Sequence, residues 1–294
     1  MKVTITGATG RVGAALVARL RARGDEVTVL SRSGQRALDR LPAGVEAVAW
    51  GDPKAGPAPV EALTGRDAVV HLAGEDVGRR WSEEVKREIR DSRELGARNL
   101  VEGLAAAQPR PGLLISASAS GYYGPRGDER VDEAQGPGYD FLAQVCVAWE
   151  REARRAQDHG VRVVTVRTGI VLDKAGGALA QMLTPFRLGI GGPIAGGDQY
   201  MPWIHLDDEV GILLAALDST TFQGAVNAGH QRGVLQGAGQ GDPQARAPAR
   251  ARLRDQGPLR RDGPARDRGR AHGPGPSPRA RIRLRASRPG RSIE

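Results

Sequence analysis

The chain has 294 residues, enough for one large α/β domain or a large domain with a small appendage. No stretch approaches the ~20 consecutive apolar residues of a membrane-spanning helix, and the single cysteine, Cys146, excludes an internal disulfide framework and reads as a small buried hydrophobe. The net charge of +9 points toward a nucleic-acid partner only until it is located: from Gly229 to Glu294 stand 16 Arg, no Lys and 5 acidic residues, so that stretch carries +11 and the first 228 residues carry −2.

The first predicted strand carries Val3 and Ile5 and starts at residue 2, which leaves no room for a signal peptide and makes a cytoplasmic location the expectation. It runs into Gly7-Ala8-Thr9-Gly10-Arg11-Val12-Gly13 and then into a helix with Ala14, Leu16, Val17 and Leu20. Gly7 suits a tight exit from the strand, Gly10 lets backbone approach a pyrophosphate, and Gly13 lets the helix lie close on the sheet. The leading helix amides then face the phosphates, so a dinucleotide is the expected ligand.

Asp25 to Leu30 is the second predicted strand, followed by Ser31-Arg32-Ser33. A free ribose 2′-hydroxyl calls for Asp or Glu near this point, whereas Arg32 suits a 2′-phosphate through paired N–H donors, which favours NADP over NAD. Val45 to Trp50 is a third strand, closed by Gly51-Asp52-Pro53, where Asp52 reads as a turn residue or an adenine contact. Asp67 to Gly74 is a fourth strand, apolar on both faces, whose small residues Ala73 and Gly74 let a cofactor pass over its end. His71 within it reads as a core histidine.

Ser82 caps a helix that runs to Ala107; its Glu88 and Arg93 stand five apart, which is no helix pair, and read as solvated charge. Leu113 to Gly124 is a fifth strand entering a turn with Ser116, Ser118, Ser120, Tyr122 and Tyr123, at the strand end where doubly wound sheets bind ligands. Phe141 to Gln157 is a helix and Val161 to Thr168 a sixth strand. Gly176 to Pro202 is glycine-rich, with a short helical start at Met182-Leu183, and reads as a flexible lid or pocket wall. Trp203 to Glu209 is expected to open a last helix that Val210 to Leu217 continue.

In order, the segments TGATGRVG, VTVLSRS, VVHLAGEDVGRRW, EIRDSR, ISASASGYYG, FLAQVCVAWE, VRTGIVL, PFRLGIGGPIAGGDQYMPWIHLDD and GAVNAG resemble the extended short-chain dehydrogenase/reductase superfamily over about residues 1 to 229. More narrowly, they resemble its epimerase-family branch of NADP-dependent oxidoreductases, some of whose members are labelled SulA-like cell-division proteins. The resemblance implies a Rossmann-type doubly wound α/β sheet with a small C-terminal substrate part. By position it implies NADP contacts from the Gly7, Gly10 and Gly13 turn, from Ser31 and Arg32, and from Leu72 and Ala73. On the match alone it adds Glu88, Arg93 and Val171.

The superfamily's chemistry uses a Tyr acid/base, a Lys four residues later and a Ser or Thr that polarises the substrate oxygen. Ser118 fits the last role. The following helix places Phe141 and Val145, or in the other register Leu142 and Cys146, where Tyr and Lys belong. Tyr122 or Tyr123 is the remaining proton donor. Two readings follow: an NADP-dependent oxidoreductase or epimerase-like enzyme on a small-molecule substrate, and a non-catalytic dinucleotide-binding protein that acts through a partner. Homodimer formation is an expectation by analogy with the superfamily.

The expected organisation is an NADP-binding domain over 1–228, with a substrate-pocket segment over 173–205, and a disordered Arg/Gly/Pro-rich tail over 229–294. The tail has no Phe, Trp or Tyr, so it lacks the interleaved stacking residues of a nucleic-acid platform. Its abrupt composition is what a GC-rich gene yields when read out of frame, and a frameshift near His230 is the expectation.

Overall fold

The computed structural model describes residues 1–173, 176–189, 191–192 and 200–229. The expected tail beyond Gly229 and parts of the expected pocket segment lie outside the described residues. Among these described residues nine strands follow in chain order: β1 (Lys2–Thr6), β2 (Glu26–Ser31), β3 (Glu46–Ala49), β4 (Ala68–His71), β5 (Leu113–Ala119), β6 (Arg162–Thr168), β7 (Ile170–Leu172), β8 (Trp203–His205) and β9 (Gly224–Ala228). Seven form one sheet in the order β3-β2-β1-β4-β5-β6-β9, all pairs parallel, while β7 and β8 pair separately. The expected doubly wound α/β architecture is therefore the observed one.

Parallel strands need helical crossovers, and these cover both faces of the sheet. On one face α1 (Arg11–Ala22) buries Gly13, Leu16, Val17 and Leu20, a spacing of three and four that makes one apolar stripe. The last helix, α6 (Leu206–Asp218), joins the same apolar cluster through Val210, Ile212, Leu213, Ala216 and Leu217. The other face holds a second cluster around Leu63, Leu100, Leu104, Leu114, Ala153 and Val163. It is covered by α3 (Glu83–Ala106) and α4 (Phe141–Arg154). Ser82 accepts a hydrogen bond from the Val85 amide at the start of α3, as expected, and Asp140 accepts one from Ala143 at the start of α4.

Four elements differ from the sequence reading. A short α2 (Gly34–Leu38) follows β2; five residues carry too little periodicity to announce it. The glycine-rich segment contains α5 (Gly177–Arg187), eleven residues with Pro185 inside, where only a short helical start was expected. Trp203 to His205 form β8 rather than helix, and α6 begins at Leu206. GAVNA forms β9 at the sheet edge beside β6, a pairing that a five-residue run cannot declare alone.

The chain turns away from β1 in two opposite senses, to β2 and β3 on one side and to β4 on the other, so the crevice at the carboxyl ends of β1 and β4 is the topological switch point. Gly7 sits at that point with φ of +70°, and a Cβ there would lie 2.7 Å from the Leu72 carbonyl carbon and 2.8 Å from the Ala73 nitrogen. Gly7→Ala combines a left-handed backbone with a collision against main chain, and is expected to destabilise the domain by about 2–4 kcal/mol. The midpoint of urea unfolding measures this; a shift within error of zero contradicts the contact.

Candidate active site

At the switch point the helix α1 starts without a side-chain cap: Gly10 occupies the N-cap position and the first turn holds no acid. Its leading N–H groups therefore keep their partial positive charge for an anion. A Cβ on Gly10 would meet only the Gly7 carbonyl oxygen, at 3.2 Å, so its outer side is open, and Thr9, Gly10 and Arg11 are exposed beside half-buried Val12. This cradle fits the pyrophosphate of the expected dinucleotide. A Cβ on Gly13 would strike the Gly7 oxygen and the Ala8 Cα, so Gly13 also lets the helix begin directly on its own turn. The Arg11 side chain also leaves the cradle. Its guanidinium donates to Asp173 at 2.8 Å and lies against Gly176 and Gly177 at the start of α5.

Next to this cradle, the β2 end presents Ser31, whose hydroxyl accepts from the Ser33 amide, and Arg32, whose side chain is 75% exposed and has Glu75 at 3.6 Å. Asp52 accepts from the Lys54 amide, as a turn residue does. Glu88 is ion-paired with Lys54 at 2.8 Å. Leu72 and Ala73 donate their amides to Thr6, at the carbonyl and hydroxyl oxygens, so the β4 end is tied to β1 where a cofactor would cross. Val171 stands on β7, partly buried against the α1 face.

Arg93 is not the solvated charge of the sequence reading. Its guanidinium carbon would lie 2.9 Å from a Cβ on Gly74, it stands over the Trp149 ring at 5.2 Å, and it donates to the Ile89 carbonyl at 3.1 Å. Burial lowers its pKa, while Cys146, Glu75 and Asp76 favour its charge through space. Burial pushes the Cys146 thiol up to about 11, which leaves it protonated and inert. The side chain of α3 thus brings a cation to the part of α4 where one register expects the family's lysine, and α4 itself contains neither Tyr nor Lys.

A cavity of about 910 Å³ opens at the carboxyl edge of β5, β6 and β9. Its wall includes Ser120, Tyr123, Arg126, Arg167, Tyr200 and Asn227. The Tyr123 hydroxyl donates to Asn227 Oδ1 at 2.7 Å and accepts from Arg167 at 2.8 Å. Burial raises its pKa against the opposing pull of Arg167 and Asn227, so it is protonated at neutral pH. Tyr122 lies edge-on to Tyr123 with the Arg167 guanidinium 3.5 Å above its ring.

Ser118 is elsewhere. It is buried and donates to Glu150 Oε1 at 2.7 Å, and it does not belong to the cavity wall, whose serine is Ser120. Glu150, with no exposed surface, also holds Arg167 through two hydrogen bonds at 2.8 and 2.9 Å. Sequence reasoning missed Arg167, Glu150, Asn227 and Ser120 as a group. The available signal was an opposite pair of charges at positions that periodicity buries, Arg167 within a strand of valines and Glu150 one residue past Trp149.

Removing one member of such a pair strands the other. Arg167→Met is expected to cost about 3–5 kcal/mol in urea unfolding, and the double variant with Glu150→Gln to recover a large part of it. Loss of equal size in the double variant contradicts the pairing.

Two further buried groups titrate in opposite senses. Glu209 on α6 accepts from Thr168 and is pushed by burial up to about 7. Between pH 4.5 and 7 the folded chain then holds a proton that the unfolded chain has released, so this group makes stability fall as pH rises. His71, beside Thr6 and Trp149, is pushed by burial and by Arg93 down to about 4. Between pH 4 and 6.5 the unfolded chain holds the extra proton, and stability rises with pH. Unfolding free energies across this range are expected to rise more steeply with pH in Glu209→Gln than in the native chain, and to fall in His71→Gln. Parallel curves for all three overturn the assignment.

A model of the NAD dependent epimerase/dehydratase family matches residues 3–229. The chain is 45% identical over 228 residues to Epimerase family protein Mb2239 of Mycobacterium bovis, covering 76% of this chain and 72% of that one. To the chloroplastic SDR39U1 homolog of Arabidopsis thaliana, an epimerase family protein, it is 40% identical over 233 residues, 77% of this chain and 65% of that protein's length. The crystal structure of human epimerase family protein SDR39U1 with NADPH matches with a TM-score of 0.66 at 36% identity, covering 78% of this chain and 74% of that one.

Proposed function

The chain belongs to the NAD dependent epimerase/dehydratase family, and from that premise we propose that it is an NADP-dependent oxidoreductase or epimerase-like enzyme acting on a small carbonyl or nucleotide-linked substrate. The observation that carries this reading is the uncapped start of α1 at the switch point, with the exposed Arg32 next along the crevice. The human relative crystallised with NADPH supports the choice of cofactor.

In this reading the turn from Gly7 to Gly13 holds the pyrophosphate by its amides, Ser31 and Arg32 hold the 2′-phosphate, and Leu72, Ala73 and Gly74 form the ledge beneath the cofactor. Arg93 supplies from α3 the ribose-binding cation that α4 lacks, and Glu88 and Val171 contribute further cofactor contacts. When bound, the nicotinamide supplies or accepts a hydride. Tyr123, part of the cavity wall and protonated at neutral pH, supplies the proton when its hydroxyl exchanges the Asn227 acceptor for a substrate oxygen, and the Arg167 N–H already bonded to its oxygen stabilises the phenolate left behind. Tyr122 holds Arg167 over its ring, and Ser118 positions Glu150 instead of touching substrate. Ser120 orients the substrate oxygen in its place.

The missing Tyr and Lys on α4 favour a second reading, a dinucleotide-binding protein that acts through a partner. One experiment separates the two. NADPH is titrated by fluorescence against the full chain and against Tyr123→Phe, and its oxidation is followed with a panel of carbonyl substrates. The enzyme reading expects unchanged NADPH affinity in the variant and turnover lowered about 100-fold or more. Binding without turnover on any substrate supports the second reading, and no binding overturns both.

A further inference from the structure

The expected 2′-phosphate site holds more than Arg32. Glu75, just past the β4 end, has one carboxylate oxygen 3.6 Å from the Arg32 guanidinium and the other 3.9 Å from that of Arg79. The backbone of Glu75 is fixed from below, its amide donating to the Ser92 hydroxyl at 3.1 Å. Two arginines from different loops therefore converge on one anchored carboxylate, and all three side chains are accessible, at 75%, 44% and 32% for Arg32, Arg79 and Glu75.

We propose that Glu75 sets the cofactor preference of this chain by occupying, between Arg32 and Arg79, the place of a 2′-phosphate. The inference rests on the dinucleotide reading above and extends it to residues outside the glycine turn and the β2 end. Its physics is a balance of charge. The empty cluster carries two positive charges and one negative. A 2′-phosphate brings close to two more negative charges, so it gains two guanidinium partners but meets the Glu75 carboxylate. A 2′-hydroxyl brings none; it leaves both ion pairs intact and can donate to the carboxylate. Glu75 thus weakens discrimination that two arginines alone would make strong, and Arg79 is the second half of the phosphate clamp.

The contest takes place among accessible groups, where ion pairs are individually weak and screened by salt. Moderate effects are therefore expected. In fluorescence titrations of the full chain at low ionic strength, Glu75→Gln should bind NADPH about three- to tenfold more tightly and NADH more weakly than the native chain. Arg79→Ala should lose about three- to tenfold in NADPH affinity and keep its NADH affinity. Both differences should collapse in 1 M salt, about where the screening length falls to 3 Å. Native binding of NADPH with an unchanged or lower NADPH affinity in Glu75→Gln overturns the inference and leaves the cofactor reading standing. So does an Arg79→Ala variant that loses both dinucleotides equally. A native chain that binds neither dinucleotide overturns both.

Discussion

The crevice depends on one close contact, the Gly7 backbone against the main chain of Leu72 and Ala73. Because Gly7 has no Cβ, the turn after β1 can lean onto the end of β4, where Thr6 receives the Leu72 and Ala73 amides. That brings the start of α1 and the β4 ledge into one groove at the switch point. Gly13 completes the arrangement by letting α1 begin directly on the turn. The anion cradle, the ledge and the β2 end are adjacent for this reason, and the residues that would hold a dinucleotide need no long loops to reach it.

The second constraint is electrostatic and lies at the wall of the cavity. Arg167 and Glu150 are both buried, an arrangement that is costly unless every charge finds partners. Here Glu150 accepts from Ser118, from Arg154 and from two N–H groups along one edge of the Arg167 guanidinium, and Arg167 adds the Tyr123 hydroxyl and the Tyr122 ring. Asn227 of β9 closes the far side of Tyr123, and its own amide donates to Glu133. One network joins β5, α4, β6, β9 and the loop over the cavity, so Tyr123 is held by both its hydroxyl and its ring.

Local patterns showed the frame well. Glycine spacing, strand alternation and the Ser82 cap are each set by a few neighbouring residues, and β1, α1, β2, α3, β5, α4 and β6 stand where those patterns put them. What depends on distant partners was hidden. Ser118 has the residue type and position of a catalytic serine, but a buried carboxylate 32 residues later takes its hydroxyl. Arg93 looks solvated in a helix rich in charge, and only the fold reveals Gly74 and Trp149 around it. Both short edge strands, β8 and β9, owe their conformation to pairing and not to their own residues.

The Arg11 side chain ties the anion cradle to the start of α5. It springs from the first residue of α1, in the phosphate cradle, and its guanidinium grips Asp173 and the first glycines of α5. Linkage makes such sharing mutual: if a ligand in the cradle alters the hold on Asp173, then whatever alters that hold from the α5 side alters the affinity of the cradle by the same factor.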